Sequence, residues 1–219
     1  MIEWVVKIGG SLFPENAIEV AKALKGTNSL IIIGGGEFAN LIRKYDDLLN
    51  LSSEVTHKTA IDSMDILAKL VNDKVDSSKI ANSITEAKQI ANEGFNPILL
   101  TSNILNEYDP FESSWDVTSD SIAAYISHIL NAKLLIVTNV NGIYTREPSE
   151  EGSKFISKID ANKLLTFEET SIDLKLPSLL KEFGSDCYIV NGKYPERILS
   201  IIRDDSDNFN FEYTIIIGV

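Results

Sequence analysis

Twice within its first 36 residues the chain runs an apolar segment directly into a glycine cluster. The first is Val5-Val6-Lys7-Ile8-Gly9-Gly10-Ser11 and the second is Leu30-Ile31-Ile32-Ile33-Gly34-Gly35-Gly36. Short continuous apolar runs of this kind read as strands covered on both faces, which is the habit of a parallel sheet. A helix-like stretch follows each cluster. Glycine lets backbone N–H groups approach a ligand closely, and a helix N-terminus favours an anion there. One such junction could be no more than a tight turn. Two at consecutive strand ends point to two anionic groups held close together, beyond the carboxyl ends of the strands. Lys7, beside the first cluster, puts a fixed cation where a transferring phosphate could lie. Neither cluster has the G-x-x-x-x-G-K-[ST] or G-x-G-x-x-G spacing, so a Walker loop and a dinucleotide fingerprint are both missing.

The same pattern continues along the chain. Strands are expected at 3–8, 29–33, 98–100, 134–138, 155–159, 187–190 and 214–217. Helices are expected at 15–25, where Pro14 suits a first turn, and at 37–48, 54–72, 83–93, 119–130, 160–165, 174–182 and 195–202. The helix over 54–72 can be capped by Ser52 or Ser53 and carries Ile61, Met64, Leu67, Ala68 and Val71 on one face. Gly94 suits a helix end, and 102–117 reads as a loop. Strand–helix alternation with apolar strands predicts an α/β chain with a mainly parallel sheet between helical layers. At 219 residues it suits one large domain.

Composition narrows the ligands. Net charge is −12, which disfavours nucleic acid and anionic membrane as partners. Anionic ligands would therefore need a locally basic site or one rich in backbone donors. No apolar run approaches the roughly 18 residues of a membrane span, and no signal peptide is visible. The single cysteine, Cys187, allows no intrachain disulfide, which agrees with a cytoplasmic location. Cys187 lies in an apolar strand and reads as core. His57 and His128 lie on helices without Cys or His neighbours, so no metal cage of N and S ligands is visible. Both read as surface or packed residues, with His57 also near enough to the second glycine cluster to line a site. The acidic run Asp204-Asp205-Ser206-Asp207 lacks EF-hand spacing and reads as a solvated turn.

Three later segments carry polar chemistry. Ser114-Trp115-Asp116-Val117-Thr118-Ser119-Asp120-Ser121 offers more caps than one helix needs, and reads either as capping or as a polar site at a helix start. Thr138-Asn139-Val140-Asn141-Gly142-Ile143-Tyr144 reads as a plain turn or as part of a nucleotide-base pocket. Lys175, within Ser171-Ile172-Asp173-Leu174-Lys175-Leu176-Pro177, reads by itself as an exposed lysine.

In this order, the Lys7–Ser11 start, the Gly34–Gly36 loop, Thr118-Ser119-Asp120, Thr138–Tyr144 and Lys175 resemble the amino acid kinase superfamily over nearly the whole chain. The resemblance implies a three-layer αβα sandwich with an open, mainly parallel sheet. It implies an acceptor part at about 1–130 and an ATP part at about 131–219. It implies an ATP-dependent kinase using Mg²⁺, acting on a small phosphorylated substrate as a dimer or larger homo-oligomer.

Roles follow the family pattern. Lys7 would touch the transferring phosphoryl group, Asp120 would orient Lys7 and Lys175, and Lys175 would stabilise the β- and γ-phosphates. Gly9, Gly10 and Ser11 would hold ATP phosphates, with Thr138, Asn139, Gly142 and Tyr144 also on the nucleotide side. Gly34, Gly35, Gly36, Asn40, Thr118 and Ser119 would face the acceptor.

Isopentenyl phosphate kinases carry a histidine where this chain has Asn40, and uridylate kinases follow the glycines with an arginine-containing stretch unlike Glu37-Phe38-Ala39. The segment from Ser114 to Ala124 looks most like the archaeal branch acting in methanofuran biosynthesis, which phosphorylates (5-(aminomethyl)furan-3-yl)methyl phosphate to its diphosphate. The family's common Asp-Val-Asp-Gly turn is Asn139-Val140-Asn141-Gly142 here. Uridylate kinase, isopentenyl phosphate kinase and a non-catalytic nucleotide-binding or storage protein are the alternatives.

Overall fold

A computed structural model describes residues 1–107, 109–167, 170–205 and 210–218. Its centre is a sheet of strands β1 (Trp4–Ile8), β2 (Ser29–Ile33), β3 (Ser78–Ala81), β4 (Asn96–Leu99), β5 (Lys133–Thr138), β8 (Lys158–Asp160), β9 (Cys187–Asn191) and β10 (Thr214–Ile217). Their order is β3-β4-β2-β1-β5-β9-β10-β8. All neighbouring pairs are parallel except β9 with β10. The small strands β6 (Ile143–Tyr144) and β7 (Phe155–Ile156) form a separate antiparallel pair.

The helices are α1 (Glu15–Ala23), α2 (Gly36–Leu49), α3 (Ser53–Asn72), α4 (Ile84–Asn92), α5 (Thr101–Glu107), α6 (Ser119–Leu130), α7 (Ala161–Leu164), α8 (Leu176–Phe183) and α9 (Pro195–Arg203). They cover the sheet on two sides. Alternation along β1 sends Trp4, Val6 and Ile8 into the core shared with α1 and α9, and Val5 into the core shared with α6 and α8. Lys7 shares its parity with Val5 and therefore faces the α6 layer. This is a doubly covered, open αβα sandwich, as the apolar strands predict.

Several expected details differ. The segment 102–117 is not all loop, because Thr101–Glu107 is α5. Its first amides are capped from another helix: Thr101 N–H donates to Asp65 Oδ1 at 2.9 Å, and the Ser102 hydroxyl to Asp65 Oδ2 at 2.5 Å. Strands β3 and β6 are additional, and the run at 155–159 divides into β7 and β8. Asn50, in left-handed conformation at φ 51°, ends α2, and Ser52 caps α3 through Val55 N–H. Of the acidic run, Asp204 closes α9 at φ 53°, while residues 206 and 207 lie outside the described residues. Cys187 is fully buried, and burial pushes its thiol well above the ordinary range. His128 is a surface residue of α6, its exposed ring stacking on Phe183 at 4.1 Å between ring centres.

Candidate active site

β1 and β2 are neighbours in register, so both glycine clusters emerge at the same edge of the sheet. Gly34 N–H donates to Ile8 O at 2.9 Å, and Gly9 N–H donates to Val137 O at 2.8 Å. The two clusters then cross backbone to backbone. A Cβ on Gly10 would overlap the N and Cα of Gly36, and Gly36 itself has φ +53°. Gly35 lies against Ser63 of α3 with no room for a side chain. These glycines are required by close approach as well as by a turn.

Two cavities open beside this crossing. The first, about 310 Å³, lies between the clusters, α2, α3 and the start of α6. Lys7, Gly9, Gly10, Gly34, Gly35, Gly36, Asn40, Thr118 and Ser119 all line it. The second, about 370 Å³, is lined by Asn139, Val140, Gly142, Tyr144 and the loop through Arg146 and Pro148. Ser11, Thr138 and Ser171 border both. Of the first glycine cluster only Ser11 reaches the second cavity, so Gly9 and Gly10 sit with the second cluster rather than apart from it.

At the floor of the junction, Lys7 Nζ lies 2.6 Å from Asp120 Oδ1. Both residues are buried, at 8% and 4% exposure, so each charge compensates the other's loss of water. The contact is an ion pair without hydrogen-bond alignment, and Oδ1 has no other partner among the described residues. Asp120 belongs to the first turn of α6, where the helix dipole favours a carboxylate, and Thr118 is the N-cap.

Asp173 holds this corner together, a role its sequence context did not suggest. Its Oδ2 accepts from Thr118 N–H (2.8 Å), the Thr118 hydroxyl (2.9 Å) and Ser121 N–H (3.0 Å). Its Oδ1 accepts from the Ser121 hydroxyl (2.6 Å) and from Leu176 N–H (2.8 Å). One carboxylate thus caps α6 and α8 together. Burial, and then the charge of Asp120, push the Asp173 carboxyl above its ordinary range despite these donors.

Lys175 is placed differently from the other expected residues. It precedes α8, and its N–H donates to Asp116 O at 3.2 Å. Its side chain is exposed, lines neither cavity and makes no ion pair with a described residue. The structure therefore brings Lys7 to Asp120 but does not bring the Lys175 ammonium there. On the second-cavity side, Asn141 is a hub. Its Oδ1 accepts from Asn191 Nδ2 (3.0 Å) and Arg197 Nη1 (3.3 Å), and its Nδ2 donates to Glu212 at 2.8 Å.

The outer wall of the first cavity carries residues that sequence reading did not single out. Trp115 Nε1–H donates to Asp46 Oδ2 at 2.8 Å, and the Arg43 guanidinium lies 4.6 Å from the centre of the Trp115 ring. Arg43 and Asp46 are one turn apart on α2, so the helix grips the indole from two positions. His57 is buried in α3 and lines this cavity.

Comparison with known proteins agrees with the fold. The chain is 39% identical to the [5-(aminomethyl)furan-3-yl]methyl phosphate kinase of Methanocaldococcus jannaschii, over 98% of both chains. It is 27% identical to a uridylate kinase of Methanococcus maripaludis, over 92% of this chain and 95% of that one. The structure superposes on that of a uridylate kinase from Archaeoglobus fulgidus with a TM-score of 0.73 at 19% identity, over 98% and 99% of the two chains. The model of the Amino acid kinase family matches residues 3–191. With the match running from the first strand to the end of β9, the chain belongs to the amino acid kinase family.

Proposed function

We propose that this protein transfers the γ-phosphoryl group of ATP to a small phosphomonoester, (5-(aminomethyl)furan-3-yl)methyl phosphate, forming the diphosphate used in methanofuran biosynthesis. The observation that carries this reading is the relative at 39% identity, matched over 98% of both chains. The geometry supports it. Two cavities that share Ser11, Thr138 and Ser171 suit two phosphate-bearing ligands meeting head to head. The first cavity, built largely from residues before 130, would take the acceptor. The second, built largely from residues after 131, would take the nucleotide.

Phosphoryl transfer asks a protein mainly for alignment and charge neutralisation. An acceptor phosphate oxygen is already ionised at neutral pH, so no general base is required of the chain. Lys7 would sit against the group in transit, held by Asp120. The backbone N–H groups of the two crossing clusters would orient the phosphates. Lys175, exposed and in no ion pair with a described residue, would reach the β- and γ-phosphates only by swinging its side chain inward.

Among the described residues no group of three or more His, Cys, Asp or Glu side chains is placed to hold a metal. The carboxylate nearest the junction, Asp120, is engaged by Lys7. This donor set suits a Mg²⁺ carried mainly by nucleotide phosphates and water, where it would neutralise the β- and γ-oxygens.

A homo-oligomer and a cytoplasmic location complete the reading. No α2 side chain is buried, and Phe38, Leu41, Tyr45, Leu48 and Leu49 are exposed on that helix. An apolar face of this kind supports self-association, which sedimentation would detect. Among the described residues no helix is long and apolar enough to cross a membrane.

Purified protein should convert ATP to ADP in the presence of the aminomethylfuran phosphate, far faster than with UMP, AMP or isopentenyl phosphate. Lys7→Ala should cut that turnover by about 10²–10³-fold or more. Preference for UMP in the same panel would move the assignment to uridylate kinase. ATP binding without turnover of any acceptor would indicate a non-catalytic protein.

A further inference from the structure

His57 is 5% exposed, yet it lines the first cavity. Its Nε2 lies 3.0 Å from Asp109 Oδ2. An ionised carboxylate can only accept, so Nε2 carries the hydrogen and donates it to Asp109. The other ring nitrogen, Nδ1, makes no hydrogen bond to a described residue. In the neutral imidazole that nitrogen is a lone-pair acceptor. Asp109 is fixed in turn, its Oδ1 accepting from Phe111 N–H at 3.0 Å. The ring is therefore oriented before any ligand arrives.

Position along α3 shows which end of a ligand this nitrogen would meet. Gly35 packs on Ser63, level with the glycine crossing where the acceptor phosphate belongs. His57 lies six residues earlier on the same helix, about 9 Å along its axis. It therefore faces the end of the acceptor remote from the reacting phosphate. With one ring nitrogen donating to the Asp109 carboxylate, the other is left to accept, and an ammonium is a donor that satisfies it.

Resting on the acceptor assignment above, we propose that His57, oriented by Asp109, determines acceptor specificity by taking a hydrogen bond from a primary ammonium group at the acceptor's non-reacting end. An acceptor with an apolar tail leaves a buried nitrogen without a partner. Sites built to hydrogen-bond a substrate group discriminate strongly against analogues that lack it.

The test compares three acceptors: the aminomethylfuran phosphate, its N-acetyl derivative and the analogue with methyl in place of aminomethyl. The wild-type protein should favour the amine over the methyl analogue by about 10–100-fold in kcat/KM, mostly through KM. The N-acetyl derivative keeps an N–H but loses the charge, and should fall between them. His57→Leu should reduce the amine preference to within about threefold while leaving the KM for ATP unchanged. Asp109→Asn should reduce it in part. Thermal unfolding checks that each variant is folded, and His57→Gln replaces His57→Leu if the latter is not. Equal use of the amine and methyl acceptors by the wild type overturns the inference alone, as does a preference that survives in both variants. No transfer to any of the three overturns the acceptor assignment, and the inference with it.

Discussion

Asp173 and Asp120 are joined through the backbone: the N–H of Asp173 donates to Asp120 Oδ2 at 3.2 Å. The residue that caps α6 and α8 thus also restrains the carboxylate paired with Lys7. The two acids come from segments more than 50 residues apart, and one orients the other.

Asp173 should therefore give stability a distinctive dependence on pH. Its folded pKa is raised above the ordinary 3.8. A group of this kind contributes stability that is fully present below its unfolded pKa and is lost as pH rises through the folded value. Asp173→Asn keeps the shape and abolishes this titration. Denaturant unfolding from pH 4 upward should show a shallower fall in stability for the variant than for the wild type. Parallel curves would refute the assignment.

Separating Lys7 from Asp120 should affect folding and turnover differently. Lys7→Met leaves a buried carboxylate unpaired and should destabilise the fold by about 3–5 kcal/mol. It should also lower kcat by about 10²–10³, the usual loss when a group facing transition-state charge is removed. Adding Asp120→Asn keeps an oxygen for the Asp173 N–H and removes the stranded charge. The double variant should regain much of the stability and none of the activity, as read by thermal melting and an ADP-release assay.

Gly10→Ala should be costly for a steric reason. Its Cβ would overlap Gly36 backbone, which cannot rotate away as a side chain could. We expect a loss of about 1–3 kcal/mol, together with a rise in KM for the acceptor as the crossing opens. Gly94→Ala is the control. It has φ +86° and nothing within 4 Å, so it should cost only about 1 kcal/mol and leave KM unchanged.

Asn141→Asp would restore a carboxylate of the family's common turn and should nevertheless be unfavourable here. The amide Nδ2 that donates to Glu212 at 2.8 Å would become an anionic oxygen facing another. A destabilisation of about 0.5–1 kcal/mol that shrinks with added salt is expected. Glu212→Gln in the same background should recover it.

The fold was legible wherever the signal was local. The runs ending at Ile8, Ile33 and Val137 are apolar but for Lys7 because both faces of those strands are covered. Strand β3, Ser-Lys-Ile-Ala, sits at the sheet edge and needs no such run. Helix α5 lacked a visible start because its cap, Asp65, comes from α3. The site was legible in part for the same reason. Glycine clusters, a lysine beside one of them and a capped helix start can be seen one segment at a time.

By itself the sequence determined an α/β sandwich, two glycine turns at one end of it and Lys7 on the same side of β1 as Val5. Periods of 2 and 3.6 residues are properties of the local chain. Only the tertiary structure decided what those parts meet. It crossed Gly10 over Gly36, set Asp120 against Lys7, made Asp173 a cap for two helices and placed His57 at a cavity wall with Asp109 behind it. Each of these contacts joins segments distant in sequence. They exist because close packing leaves a buried charge or donor one partner within reach, and no local pattern records which partner that is.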